Sequence, residues 1–188
     1  MGAIQQMLLA EAASVANTYA TWNPSDKGVY ITLSGGDLTY TTTSAVQHVR
    51  STLSKASGKW YFEVTPTTNG AFTQIGIDNG SGNVNTSLGV GAQCIAYDGY
   101  GAVFKNGITV ATYASYSTGD VIGVAFDCAT GNVTFYKNNT LQGTPGSVTG
   151  SIYCAAGNIS DFVSVGVANF GATAMTYTAP SGYNQGVY

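Results

Sequence analysis

The 188-residue chain has a formal net charge of −3, and only 8% of its residues are charged, whereas 44% are hydrophobic. This length suits one domain, with or without a short arm. The six basic residues are scattered, which argues against nucleic-acid binding, and no apolar run is long enough for a membrane helix or resembles a secretory signal.

The first stretch of the chain differs from everything that follows. Ile4, Met7, Leu8, Ala12 and Val15 recur mostly at spacings of three or four residues, which is typical of one face of an amphipathic helix. Glu11 interrupts this apolar stripe. We therefore expect a helical anchoring or oligomerisation arm over residues 1–18, followed by one β domain over residues 19–188.

From Tyr19 onward the hydrophobic pattern has a period of two, which predicts β-strands. Turn signals such as Asp78-Asn79-Gly80, Asn106-Gly107 and Asn138-Asn139 separate the segments. Many short strands with hairpin turns favour an antiparallel sandwich. The predicted strands cover residues 30–33, 38–40, 59–65, 72–77, 94–97, 102–105, 121–127, 132–137 and 163–168.

Four segments resemble, in order, the motifs of the SPRY family. Residues 119–138, GDVIGVAFDCATGNVTFYKN, resemble the family hairpin GDVIGVALD…G…FYKNG. Residues 57–64, SGKWYFEV, resemble its GKxYWEV strand, and residues 74–77, QIGI, are similar to its IGV strand. The end of the chain, with NFG at residues 169–171 and PSGY at residues 180–183, resembles the closing NFG…P.GY.

The resemblance implies an all-β fold, a bent antiparallel β-sandwich of the concanavalin-like jelly-roll type. The opening WNPSD at residues 22–26, with VRS at residues 49–51, is similar to bacterial and phage members. Two loops depart from the family pattern: the turn at Asn138-Asn139 and the segment 141–146. By resemblance they lie near the rim where animal SPRY domains bind peptides, so that role cannot be transferred residue by residue.

Catalytic machinery is not visible in the sequence. His48, the one histidine, has apolar neighbours and is typical of a strand residue, and no serine lies in a GxSxG elbow. Glycosidases need paired carboxylates, but the acids here are isolated. We expect no enzymatic activity, no cofactor and no metal, with four of the acids in turns: Asp26, Asp78, Asp98 and Asp161.

The three cysteines, Cys94, Cys128 and Cys154, are odd in number and lie in apolar, strand-like surroundings. No CxxC pair is present, which argues against a zinc site. We expect free, buried thiols in a protein made in a reducing cytosol.

Tyrosines in or beside predicted turns are the remaining candidates for a binding site. Tyrosine offers a flat apolar face and a hydrogen-bonding hydroxyl, which suits sugars, peptides or neighbouring subunits. We predict ligand binding by Tyr97, Asp98 and Tyr100 on one turn and by Tyr113 and Tyr116 on the next. The alternative for each tyrosine is that it closes the core of the sandwich.

These features predict a non-catalytic phage virion protein, made in the host cytoplasm. The arm would anchor it, and the sandwich would serve as decoration, tail or fibre component, or would bind the host surface. Expected partners are other virion proteins, further copies of the chain and a host glycan or protein, with neither nucleic acid nor membrane insertion. One alternative is an intracellular peptide-binding adaptor similar to animal SPRY proteins. A tail-associated polysaccharide-degrading enzyme ranks last because paired carboxylates are missing.

Overall fold

The computed structural model describes residues 17–188, and this part of the chain forms fifteen β-strands. A single 3₁₀ turn, Gly70–Phe72, precedes the sixth strand. The strands are β1 (Trp22–Lys27), β2 (Ile31–Ser34), β3 (Thr39–Thr42), β4 (His48–Lys55), β5 (Lys59–Thr68), β6 (Thr73–Asp78), β7 (Cys94–Asp98), β8 (Ala102–Lys105), β9 (Ile108–Thr112), β10 (Ile122–Asp127), β11 (Asn132–Lys137), β12 (Thr140–Ser147), β13 (Ile152–Asn158), β14 (Ser164–Asn169) and β15 (Asn184–Gln185).

The strands form two sheets, which confirms the predicted two-layer antiparallel sandwich. The seven-stranded sheet has the order β1-β4-β13-β6-β7-β8-β9. The eight-stranded sheet has the order β12-β11-β10-β5-β14-β3-β2, and β15 adds to β5 in parallel. All other pairs are antiparallel, and sequence-distant strands such as β4 and β13 are neighbours.

The main hydrophobic core lies between the two sheets. Alternate residues of the central strands point into it, as in β10, where Val124 pairs with Phe62 of β5 on one side and Phe135 of β11 on the other. Trp22 packs edge-on against Phe170, with ring centroids 4.9 Å apart. Aromatic side chains therefore fill much of the space between the layers.

Two-residue turns join several neighbouring strands, as the sequence predicts. Asn106 and Gly107 have φ values of 53° and 73°, and Asn138 and Asn139 have values of 47° and 65°. Positive φ at both positions matches the right-handed twist of a β-hairpin. Asparagine tolerates this conformation, so the Asn138-Asn139 departure from the family pattern still makes a tight β11–β12 turn.

All nine predicted strands are present, with ends that move by at most three residues. The structure adds six more, including β4 and β13 in the middle of the seven-stranded sheet. The predicted arm residues Ile4, Met7, Leu8 and Val15 lie outside the described residues. In the described part of the chain, no helix is long and apolar enough to cross a membrane.

A loop covers part of the outer face of the seven-stranded sheet, which is the face that points away from the main core. The loop of residues 79–93 lies over it and places Leu88 on Ala96 and Ala155, which form a small second hydrophobic cluster with Cys94. Gly76 allows the strands beneath to approach closely, since a Cβ at this position would lie 1.9 Å from the Ile95 carbonyl oxygen. This covering loop creates the site described next.

A pocket on the outer face of the seven-stranded sheet

A pocket of about 260 Å³ lies where the 79–93 loop meets the outer face of the sheet. Its floor carries Gln74 of β6 and Asp98 of β7. Its walls are mostly apolar and are formed by Val46, Leu88, Val90, Phe104 and Ile159. Gly89 completes the loop wall with a φ of 93°, and a Cβ there would lie 2.7 Å from the Phe104 Cβ.

The two polar residues of the floor are direct neighbours. Gln74 and Asp98 are partners in the antiparallel β6–β7 register and are 1% and 3% exposed. The Ser87 hydroxyl donates to Gln74 Oε1 at 2.6 Å, and the Ala102 amide donates to Asp98 Oδ1 at 2.8 Å. Burial raises the pKa of Asp98, although the backbone amides of the following turn oppose the shift.

A buried ionic network fastens the 79–93 loop to the sheet. Arg50 of β4 pairs with Asp78 of β6, with Nε 3.1 Å from Oδ1 and Nη2 3.2 Å from Oδ2. The same Nη2 donates to the Gly82 carbonyl, and Nη1 donates to Asp26 at 2.9 Å. The guanidinium therefore joins β1, β4, β6 and the loop in one cluster.

His48 adds a second attachment. Its Nδ1 donates to the Thr86 carbonyl at 2.9 Å, and its Nε2 lies 3.4 Å from Asp78 Oδ2. The His48 backbone amide also donates to the Val84 carbonyl at 3.0 Å. Burial alone would raise the pKa of Asp78, but the contact with His48, the hydrogen bond from Arg50 and the Arg50 charge outweigh it and lower that pKa.

Amide side chains fasten the loop at the end nearest the pocket. Gln47 Nε2 donates to Asn85 Oδ1 at 3.1 Å, and the Val29 amide donates to the same oxygen at 3.0 Å. The Gln47 backbone amide donates to Asn158 Oδ1 at 3.1 Å. The pocket wall is thus held by hydrogen bonds to several strands and loops.

An aromatic rim, formed by Phe72, Tyr100 and Phe162, adjoins the pocket. The Phe72 ring lies 4.9 Å from that of Phe162 and 5.8 Å from that of Tyr100. Tyr100 and Phe162 are 58% and 60% exposed. The pocket residue Ile159 donates its backbone amide to the Phe72 carbonyl at 2.9 Å, and Tyr100 lies two residues after the pocket residue Asp98, so the rim lies next to the pocket.

The five predicted ligand-binding residues separate into two groups. Asp98 lines the pocket and Tyr100 belongs to the rim. Tyr97 and Tyr116 are buried between the sheets with their rings 4.9 Å apart, and Tyr113, half-buried, packs on Tyr97 at 5.7 Å. For these three tyrosines the structure matches the alternative that they close the core, and their part in ligand binding stays a prediction.

Sequence reasoning missed Gln74, Leu88 and Ile159 as pocket residues. Gln74 left a signal, because it interrupts the apolar pattern of β6 at a position that turns out to be buried. Leu88 and Ile159 lie in loops whose contacts depend on the fold of distant segments. Asp78, predicted as a turn residue, does accept the Gly80 amide at 2.6 Å, but it also holds the ionic network.

The chemistry of the site suits recognition. A carboxylate, an amide and a hydroxyl lie among apolar walls, which is the usual composition of a binding pocket. Within residues 17–188, no cluster of three or more His, Cys, Asp or Glu side chains could hold a metal ion. Cys94 and Cys154 are buried free thiols, as predicted, and Cys128 is a half-buried one.

Comparison with known structures gives several similar folds. The SPRY domain of human HERC1 matches with a TM-score of 0.71 and 16% identity, over 81% of this chain and 99% of that one. The TRIM65 PSpry domain matches at 0.65 and 15% identity, over 81% and 92%. The stonustoxin structure matches at 0.67 and 20% identity, over 81% of this chain and 27% of that one. No sequence match was found among curated proteins.

These structural matches establish the fold, and the family follows from a sequence match. The family model of the SPRY domain matches residues 59–169, which is more than half of the chain. The matched region runs from β5 to β14 and includes both floor residues of the pocket. The chain therefore belongs to the SPRY domain family.

Proposed function

We propose that this SPRY domain is a non-catalytic protein-binding module whose contact surface is the pocket together with the aromatic rim. The observation that carries the proposal is a preformed, mostly apolar pocket with two exposed aromatic rings next to it. SPRY domains typically mediate protein–protein interactions, which agrees with this proposal.

The dimensions of the site favour a protein partner. At about 260 Å³ the pocket lies near the lower limit for binding sites of small molecules, so it suits one inserted side chain. Exposed aromatic residues around such a pocket are typical of the centre of a protein interface. The partner would insert one residue and cover the rings of Tyr100 and Phe162.

A peptide library displayed on phage tests the binding site. The protein selects the peptides, which are then measured against Val90→Asp, a change in the pocket wall, and Phe162→Ser, a change in the rim. Leu141→Ser is the matched control, because Leu141 is 61% exposed on β12 of the other sheet. We expect both site variants to lose binding by about tenfold or more, as for central interface residues, and the control to keep it.

Selected peptides that bind all three variants equally would place the contact surface elsewhere. Failure to select any peptide would argue against a peptide-binding pocket. Circular dichroism of each variant separates loss of binding from loss of folding.

As the biological setting we propose a phage virion, in which the chain serves as a decoration, tail or fibre protein. The low charge supports the proposal, because weakly charged surfaces lose little when they are buried in an assembly. Resemblance of the opening segments to phage members also supports it. Mass spectrometry of purified virions tests it: the polypeptide should be present in stoichiometric amounts, and its absence would refute the proposal.

The arm of residues 1–18 is proposed to make the chain oligomeric. Light scattering of the intact chain, beside a version that begins at Tyr19, measures this directly. We expect a trimer or larger for the intact chain and a monomer for the shortened one. Two monomers would instead favour the adaptor hypothesis, in which the arm is dispensable.

A further inference from the structure

Gln74 has an unusual position for a buried amide. It is 1% exposed, its Oε1 accepts the Ser87 hydroxyl, and its Nε2 has no hydrogen-bond partner among residues 17–188. The Nε2 atom is not one of the fully enclosed unpaired polar atoms in this part of the chain, so it keeps some accessible surface. Since Gln74 lines the pocket, its free N–H groups are available to a bound molecule.

Asp98, its cross-strand neighbour, provides the opposite hydrogen-bonding character. The carboxylate is 3% exposed, lines the same pocket and forms no ion pair with any cationic side chain in the described chain. Its Oδ1 accepts a turn amide, so the group is fixed in place. Side chains opposite each other on one sheet face have Cβ atoms about 4.5–5.5 Å apart, which brings this donor and this acceptor close together.

We infer that the pocket selects the primary amide of an Asn or Gln side chain on a protein partner. The ligand's carbonyl oxygen accepts from Gln74 Nε2, and its NH₂ group donates to the Asp98 carboxylate. This inference rests on the proposed function, since it assumes that the pocket is the binding site.

Other side chains complement the floor less well. An aliphatic side chain would contact the apolar walls but leave the polar groups of Gln74 and Asp98 unpaired. A lysine would pair with Asp98 but offer no acceptor to Gln74. A glutamate would place its carboxylate beside Asp98, which disfavours binding by charge repulsion. The primary amide satisfies both groups, and the apolar walls contact its methylene stem.

NMR titration of the isotope-labelled, full-length protein tests the inference. The probes are N-acetyl-glutamine N-methylamide and its leucine and lysine counterparts, which differ only in the side chain. We expect the glutamine probe to shift the side-chain NH₂ signals of Gln74 and the backbone signals of Gly89 and Val90. The lysine probe should bind about fivefold more weakly, the factor expected for one lost hydrogen bond, and the leucine probe, which loses two, should bind more weakly still.

Two pocket variants and one control identify the residues responsible. Gln74→Met keeps the length and apolar stem of the side chain but removes the amide, and should reduce the preference for glutamine over leucine about fivefold. Asp98→Asn keeps a side-chain oxygen that can accept the turn amide, and it should weaken binding of the glutamine probe about fivefold. Gln185→Met changes an exposed glutamine on β15 of the other sheet and should leave the titration unaltered.

The remaining outcomes decide between the inference and the proposed function. Equal shifts from leucine and glutamine would overturn amide selection while leaving the pocket as a binding site. Strongest binding of the lysine probe would also overturn it, because Asp98 would then be the dominant group. No shift at any pocket residue with any probe would contradict both.

Discussion

Arg50 and Asp78 form a buried ion pair through two contacts, and the same guanidinium donates to the Gly82 carbonyl of the 79–93 loop. The pair thus connects the sheet to the loop that walls the pocket. Its energetic effect should exceed that of a surface pair, because water cannot compensate either partner when the other is removed.

Removal of one partner should destabilise the protein strongly. Arg50→Met leaves the Asp78 carboxylate buried without its cation, and we expect the free energy of unfolding to fall by about 3–5 kcal/mol. The double variant Arg50→Met, Asp78→Asn should lose less than the sum of the two single changes. Urea unfolding of Arg50→Met, Asp78→Asn and the double variant measures the three losses.

Lys137→Met is the control for this series, since Lys137 lies 3.4 Å from Asp120 in a more exposed pair. This substitution should lower the free energy of unfolding by less than about 1 kcal/mol. A loss below 1 kcal/mol for Arg50→Met would show that the buried pair contributes little.

Two buried carboxylates, Asp78 and Asp98, should make the free energy of unfolding depend on pH in opposite directions. The folded-state pKa of Asp78 lies below its ordinary value of 3.8, so its contribution is present above that pH and is lost as pH falls through the folded value. The pKa of Asp98 is raised, so its contribution is greatest at low pH and is lost as pH rises through the folded value.

Urea midpoints measured from acid to neutral pH test this assignment. The stability of Asp98→Asn relative to wild type should improve as pH rises above about 4, because the variant avoids a buried charge. For Asp78→Asn the relative loss should instead grow as pH rises toward about 4 and level off above it, because the unfolded carboxyl ionises there. Parallel pH profiles for the two variants would contradict the assignment.

Two buried tyrosine hydroxyls predict opposite effects of the same substitution. Tyr40 is fully buried, and its hydroxyl has no hydrogen-bond partner in the part of the chain described. Burial also raises its pKa. Tyr40→Phe should therefore leave the free energy of unfolding unchanged or raise it by up to about 1 kcal/mol.

Tyr116 is the matched comparison, because its hydroxyl donates to the Tyr97 carbonyl at 2.9 Å and lies 3.0 Å from the Thr73 carbonyl. Tyr116→Phe should lower the free energy of unfolding by about 1 kcal/mol or more. Equal losses from the two substitutions in thermal unfolding would mean that Tyr40 also has a partner in solution.

The three thiols should differ in reactivity. Cys94 and Cys154 are buried and Cys128 is half-buried, and burial raises the pKa of each. A thiol reagent such as Ellman's reagent should modify at most Cys128 in the native protein, and slowly, but all three in denaturant. Rapid native modification of two or more thiols would contradict the packing around Cys94 or Cys154.

Strands with a simple pattern of apolar residues on their two faces could be predicted from the sequence. β10 and β11 carry apolar residues and end in turn residues, so their pairing follows from local signals alone. β4 escaped prediction because His48 and Arg50 occupy positions that face an ionic network rather than solvent. β13 escaped because Ala155, Ala156 and Gly157 are small residues with weak strand preference.

The candidate site was only partly predictable for a similar reason. Asp98 and Tyr100 were marked by their turn, whereas Gln74 reaches the pocket only because the 79–93 loop folds back over β6. Burial of Tyr97 and Tyr116 follows from the alternation of β7 and from the path of the segment after β9. Neither feature has a local signature, since both depend on contacts between distant segments.

Three attachments of the 79–93 loop to β4 run through the main chain of the loop. Arg50 and His48 bind the carbonyls of Gly82, Val84 and Thr86, none of which depends on the loop's side chains. Substitutions at outward positions of the loop can therefore change what the wall presents while its attachment persists. The domain is in this respect a natural scaffold for diversification, and a library of variants in this loop could yield new binding specificities on one stable framework.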